Sequence, residues 1–172
     1  MDLIDKIHRA ERFGPEFLTW LWFRSESTDG VFSLGTEFGD FELYFEERLV
    51  VGSAEVNAQE NFFKGGQPSM SLEARTALRL GKLANEAKLR IIRGAQEWSF
   101  LMKARPLGVS GVKIPAVLSK EDDEKFAERM LLLEQLDAMV KGLLRAFLKL
   151  RASEAWNTDE LPAIRSWVAG RE

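Results

Sequence analysis

Apolar residues along this chain alternate between helical and strand-like spacing, and the changes of spacing divide it into segments. From residues 2 to 12, Leu3, Ile4, Ile7 and Ala10 stand at helical intervals with charges between them, which predicts a short amphipathic helix stopped by Gly14. Pro15 suits the first position of a second helix, because its missing N–H would be unpaired there anyway. That helix is predicted to run through Glu16 to about Ser25 and to end before Thr28-Asp29-Gly30. From Val31 to Phe63 the pattern shifts to short runs of Phe, Val, Leu and Tyr separated by Gly, Asp and Glu, which predicts strands. Asp40 to Phe45 alternates polar and apolar, Glu46-Glu47-Arg48 can turn, and Leu49-Val50-Val51 resumes. A further strand is predicted from Ala54 to about Phe62, with Lys64-Gly65-Gly66-Gln67-Pro68 as a loop.

Ser71 or Ser69 can cap a helix from Leu72 to about Asn85, since a serine hydroxyl accepts from the unpaired N–H groups of a first turn. Leu72, Ala77, Leu80, Leu83 and Ala84 would face inward. Lys88 to Arg93 and Trp98 to Ala104 read as paired strands closed at Gly94-Ala95-Gln96, and Ile114-Pro115 ends the strand region. A long helix follows. Ser119 with Asp122 three residues on resembles a capping box, and the acidic run Glu121 to Glu124 complements the positive end of the helix dipole. The helix is predicted to reach about Ser153, burying Phe126, Met130, Leu133, Leu136, Val140, Leu143, Leu144 and Phe147, with Gly142 marking a bend. A last helix, Asp159 to about Ala169, has Thr158 or Asp159 as its cap and Trp167 on its apolar side. The order predicts a single α+β domain over residues 1–172, a mostly antiparallel sheet packed with helices that include one long C-terminal helix.

Composition narrows the chemistry. The chain has no Cys and a single His, His8, so thiolate chemistry and any site needing two histidines are excluded. The N-terminal Met1-Asp2-Leu3-Ile4-Asp5 carries acids where a secretory signal carries bases, and the longest apolar run, Phe17 to Phe23, is far shorter than the about 20 residues of a membrane span. Both features place the chain in the cytoplasm, with no membrane partner. No Gly-x-Ser-x-Gly elbow and no phosphate-binding Gly-rich loop is present, and no cofactor is predicted. The acids Glu37, Asp40, Glu42, Glu46 and Glu47 are the best local cluster, and a metal-dependent nuclease built on Glu37 and Asp40 is the least favoured reading. Their alternation with Phe38, Phe41, Leu43 and Phe45 already accounts for them as the solvated face of strands.

Charge is distributed unevenly. Residues 1–60 carry 13 acids and 5 bases, residues 64–113 carry 10 bases against Glu73, Glu86 and Glu97, and residues 114–172 carry 9 bases and 11 acids. The basic middle either faces the acidic segments in the fold or forms a footprint for phosphates. In the second case Arg75, Arg79 and Lys82 align on one helix side and Lys88 and Arg90, with Arg93 beyond them, extend the row along a strand face. Lys141, Arg145 and Lys149, four apart on the long helix, make a second basic stripe that equally suits the negative end of that helix. Of the aromatic residues, five Trp, twelve Phe and one Tyr, the set Trp20, Trp22 and Phe23 cannot all point one way from a helix. Either that helix is buried on most sides or one aromatic meets a partner, so a homodimer or protein partner through these residues or the long helix is the alternative function.

The segment Glu16-Phe17-Leu18-Thr19-Trp20-Leu21-Trp22-Phe23-Arg24-Ser25-Glu26 resembles the latter part of recombination-associated RdgC-like proteins of bacteria and their prophages. Similar too is the later order Ser71-Leu72-Glu73-Ala74, Gly81-Lys82, Ile114-Pro115, Phe147-Leu148-Lys149-Leu150-Arg151, Trp156 and Ile164-Arg165-Ser166-Trp167. The resemblance covers nearly the whole chain but only the later part of the longer family members. It implies non-enzymatic DNA binding by a ring-shaped dimer that restrains recombinase filaments, and no contact residue is carried over from it. The expected function is therefore a DNA-associated accessory protein of recombination or phage biology, binding through the basic middle segment. On this reading Arg79→Glu with Lys82→Glu leaves the fold intact, since exposed charge changes cost within about 0.5 kcal/mol each, while DNA binding weakens for all sequences and its salt dependence flattens in an anisotropy titration.

Overall fold

The computed structural model describes residues 3–35, 39–53, 60–65 and 71–170, with side chains described from Arg12 onward. Its elements run α1 (Leu3–Ser27), β1 (Val31–Ser33), β2 (Asp40–Gly52), β3 (Asn61–Lys64), α2 (Leu72–Arg79), β4 (Leu83–Arg93), β5 (Gln96–Ala104), β6 (Leu107–Lys113), α3 (Asp122–Arg151), a π-helical turn (Trp156–Glu160) and α4 (Leu161–Ala169). This is an α+β fold. The strands form one antiparallel sheet in the order β1-β2-β4-β5-β6, with β3 also paired to β2. Because β4 occupies one edge of β2, β1 and β3 share the other, at Asp40–Glu42 and Arg48–Val51 respectively.

Period-two alternation gives each strand a buried and an open side. Phe41, Leu43, Phe45, Leu49 and Val51 of β2, Ala87, Leu89 and Ile91 of β4, and Trp98, Phe100 and Met102 of β5 are all buried, and the register places them opposite one another. The helices complete this core. α1 lies against the sheet, Leu132, Leu136, Met139, Leu143 and Phe147 of α3 close over it, and Ala74, Ala77 and Leu78 of α2 join the same cluster. Phe147 is the point of convergence, with ring centroids 5.4 Å from both Phe17 and Trp20, 5.6 Å from Phe13 and 5.7 Å from Trp156.

The observed elements depart from the predicted ones in six places, one of them in β2, which runs on through the predicted turn Glu46-Glu47-Arg48 as a bulge between Phe45 and Leu49. The two N-terminal helices are one, α1, with Pro15 inside it. An interior proline costs about 3 kcal/mol, and the packing of Phe13 and Phe17 on Phe147, on either side of Pro15, holds the helix together through it. Predicted strand residues 54–59 and loop residues 66–68 lie outside the described residues, as do Ser69 and Glu37. α2 stops at Arg79, because Gly81 takes φ +81° and redirects the chain so that Leu83, Ala84 and Asn85 open β4. Leu72 and Leu80, expected inside, are exposed, and Ser71 caps the helix through the Ala74 N–H at 3.0 Å.

β6 is not predicted from local spacing, since Gly108 and Gly111 interrupt its alternation and most of its residues are exposed at the sheet edge. α3 runs unbroken through Gly142, and its start is fixed by Glu128 rather than Ser119: the Glu128 carboxylate accepts the N–H groups of Leu118 and Ser119 at 2.9 and 2.8 Å. Its buried stripe is also shifted, leaving Phe126, Met130 and Leu133 exposed. Neither Thr158 nor Asp159 caps α4, which continues from the π-helical turn, and its Trp167 meets Trp22 edge-on at 5.3 Å.

Gly14 is required where α1 crosses the end of β5. A Cβ there would stand 2.0 Å from the Ala104 carbonyl oxygen. Overpacking of this kind costs about 1–3 kcal/mol, against about 1 kcal/mol gained in helix propensity by replacing glycine with alanine. Gly14→Ala is therefore expected to lower the urea midpoint at unchanged m-value, whereas helix propensity alone would raise it.

Candidate nucleic-acid interface

The basic residues singled out in the sequence are divided among five places. Arg75 and Arg79 turn towards the α1 and α4 helices. The Arg75 guanidinium pairs with Glu26 at 2.8 Å and stands 5.8 Å from the Trp167 ring centre, and Arg79 donates to the Val168 and Ala169 carbonyls at 2.9 and 3.2 Å. Both have structural work, Arg79 by satisfying carbonyls at the end of α4. Reversing its charge would set a carboxylate against those carbonyls, so Arg79→Glu is not the neutral change expected from sequence. Lys82, at the α2–β4 turn, donates to Asn61 at 2.6 Å.

Arg93 lies at the β4–β5 hairpin, bonded to Gln96 and placed 5.6 Å from the centre of the Trp98 ring. Lys141, Arg145 and Lys149 are exposed on α3, which closes over the other side of the core, and Lys141 pairs with Asp137 at 2.6 Å. Only Lys88 and Arg90 remain on the open side of the sheet. Trp20, Trp22 and Phe23, offered as an interface, are all buried in the core and present nothing to a partner.

The open side of the sheet carries most of the charge that the core excludes. The register sets Tyr44, Arg90, Ser99 and Lys113 in one row, Lys88, Leu101 and Ser110 in the next, and Val50, Glu86, Lys103 and Gly108 beyond. On the β3 edge, Arg48 is opposite Lys64 and Val50 is opposite Phe62, which is 62% exposed. β2 bulges between Phe45 and Leu49, and the β5–β6 register shifts between Ser99 and Leu101. A groove of about 560 Å³ lies between these irregularities, lined by Arg48, Lys64, Lys88 and Lys113, by a single acid, Glu47, and by Ser99, Leu101 and Gly111 among others.

Acids of β2 and β4 hold part of this basic surface. Lys88 reaches Glu47 at 2.8 Å and Glu46 at 3.4 Å, Arg90 reaches Glu46 at 3.3 Å, and Arg48 pairs with Glu86. Lys64 and Lys113 have no ion pair among the described residues. Sequence reasoning counted these two bases without placing them at the site, and it did not single out Arg48 or Phe62. Period-two spacing assigns residues to a strand face, but only the pairing register makes Lys64 and Lys113 converge. Of the acidic cluster, Glu42 accepts the Tyr44 hydroxyl at 2.5 Å while Glu46 and Glu47 serve the bases, and no three potential metal ligands gather among the described residues.

Compared with known proteins, the chain matches no family model, no curated protein and no solved structure. No helix among the described residues is long and apolar enough to cross a membrane.

The Lys88 hydrogen bond and charge, with a smaller contribution from Lys113, hold the Glu47 carboxyl below its ordinary value, and the Glu47 bond in turn raises the Lys88 amine. A lowered acid stabilises above its unfolded value and loses that contribution as pH falls through the folded one, whereas a raised amine loses its contribution only as pH rises through its folded value. The pair thus persists across the neutral range. In a carboxylate NMR titration the Glu47 midpoint is expected below that of an unperturbed glutamate, moving up in Lys88→Met and by less in Lys113→Met.

Proposed function

We propose that this chain is a non-enzymatic DNA-associated accessory protein of recombination or phage biology that holds phosphates in the groove of its open sheet face. The carrying observation is that groove: four bases against one acid, with Lys64 and Lys113 unpaired among the described residues. Phosphate neutralisation by Lys and Arg supplies most of the sequence-independent binding energy for nucleic acid, because it releases condensed counterions. Phe62, exposed on the strand that carries Lys64, adds an aromatic face on which a base can stack, worth about 1–3 kcal/mol per base in single-strand binding. The resemblance of the Glu16–Glu26 segment to recombination-associated proteins points the same way. The proposed site is on the sheet and not on the α2 row: of the expected bases Lys88 lines the groove with Arg90 in the adjoining row, and Arg48, Lys64 and Lys113 join it.

Fluorescence anisotropy with labelled single-stranded and duplex DNA at about 50 and 200 mM salt tests this reading. Lys64→Glu with Lys113→Glu is expected to abolish most binding, and the milder Lys64→Gln with Lys113→Gln to flatten the salt slope by about 1.4 on single strands, two contacts at about 0.7 each. Absence of binding by the parent at the lower salt, or an unchanged slope in the glutamine variant, would overturn it.

A further inference from the structure

α3 has two apolar stripes, and the core fully buries only one. The inward stripe is Leu132, Leu136, Met139, Leu143 and Phe147, all buried. The second consists of Phe126, Met130, Leu133, Val140, Leu144 and Leu148, which advance by four and three residues with Asp137 completing the series. At 3.6 residues per turn it lies about 100° round the helix from the first. Phe126 is 66%, Met130 43%, Leu133 39% and Leu148 44% exposed, while Val140 and Leu144 are partly covered by the core. No residue of α3 before Leu132 is buried, so the first turns of the helix stand clear of the sheet and carry the apolar stripe with them.

This spacing is that of a coiled-coil seam. A single polar residue at a seam position sets register at some cost in affinity, and Asp137, bonded to Lys141 at 2.6 Å, occupies that place. The charge along α3 then selects the occupant. Residues 121–137 carry seven acids and two bases, and residues 138–151 carry four bases and no acid. Another α3 laid parallel would set like charges side by side. Laid antiparallel, it sets each acidic half against a basic half and opposes the two helix dipoles.

We infer that the exposed seam of α3 is a docking surface for a second copy of this chain, joined antiparallel about a two-fold axis. Such an interface is isologous, each contact occurring twice. The seam positions interleave when Phe126 meets the second copy's Leu144, Met130 its Val140 and Leu133 its Asp137, which brings Asp123 beside the second copy's Arg145. About three heptads are engaged, so the contact is near the lower size of a specific interface, about 1,000 Å². Association is accordingly concentration-dependent, in the micromolar range. The inference is independent of DNA binding, since the groove lies on the opposite side of the sheet from α3.

Sedimentation velocity of the whole chain across concentrations is expected to show a monomer–dimer equilibrium, weakened at least tenfold by Phe126→Asp with Met130→Glu. Because the chain has no cysteine, oxidation of single-cysteine variants reads the orientation independently of that double substitution. An equimolar mixture of Asp123→Cys and Arg145→Cys proteins is expected to give the mixed disulfide, with little homodimer of either. A chain that stays monomeric to about 1 mM, a dimer indifferent to the double substitution, or preferential cross-linking of Asp123→Cys to itself would each overturn the inference.

Discussion

Seven consecutive residues of α1, Phe17 to Phe23, are buried, although a helix points successive side chains about 100° apart and so presents this stretch on every side. A segment can lie inside an apolar core only if its backbone polar groups are bonded within itself, which a helix achieves. Its polar side-chain atoms still need partners. The Thr19 hydroxyl accepts the Ala84 N–H at 2.9 Å, the Trp20 indole donates to Glu160 at 2.7 Å, and the Trp22 indole donates to Glu26 at 2.7 Å. Glu160 also receives the Arg24 guanidinium, and Glu26 receives both Arg75 and the Trp167 indole. Two glutamates thus tie α1 to α2, the π-helical turn and α4, and the positions of those shorter elements follow from what α1 needs around it.

Enclosing α1 uses the available helices. The sheet covers it on one side and α3, α4 and the π-helical turn cover it elsewhere, so among the described residues the outer side of the sheet has no helix on it. That side must therefore be compatible with water. Alternate residues of β2 and β4 are mostly charged, and cross-strand pairs such as Lys88 with Glu47 and Arg90 with Glu46 neutralise part of the surface. The β2 bulge breaks the pairing pattern locally, and Lys64 and Lys113, which have no ion pair among the described residues, line the groove beside it. The groove is a consequence of how the core was closed: a covered sheet would have had apolar residues there.

The same economy accounts for the length of α3. Only the span from Leu132 to Phe147 is needed to close the core, while the helix begins at Asp122, ten residues earlier. Those first turns have helix-favouring residues, an acidic start that suits the dipole and backbone anchors at Glu128, but no buried residue. Among the described residues, nothing covers the apolar stripe there in a single copy.

Local periodicity alone determined the α+β class, the β4–β5 hairpin around Gly94, the long helix and the conclusion that the Trp20–Phe23 helix is either enclosed or partnered. Each depends on side chains a few residues apart, whose relative directions are set by the backbone repeat. The continuity of α1 through Pro15, the stop of α2 at Gly81, the Gly-interrupted edge strand β6 and the choice between two apolar stripes on α3 were decided by the tertiary structure. In each, a local preference competes with burial contributed by distant residues, as Phe147 does for α1. The site divides in the same way. That Lys88 and Arg90 share a face follows from period two, but Arg75 is drawn to Glu26 and Arg79 to the end of α4 by residues 49 and about 90 positions away. Lys64 and Lys113 become neighbours of one groove only through strand register, which bulges and long-range pairing set and which no local spacing encodes.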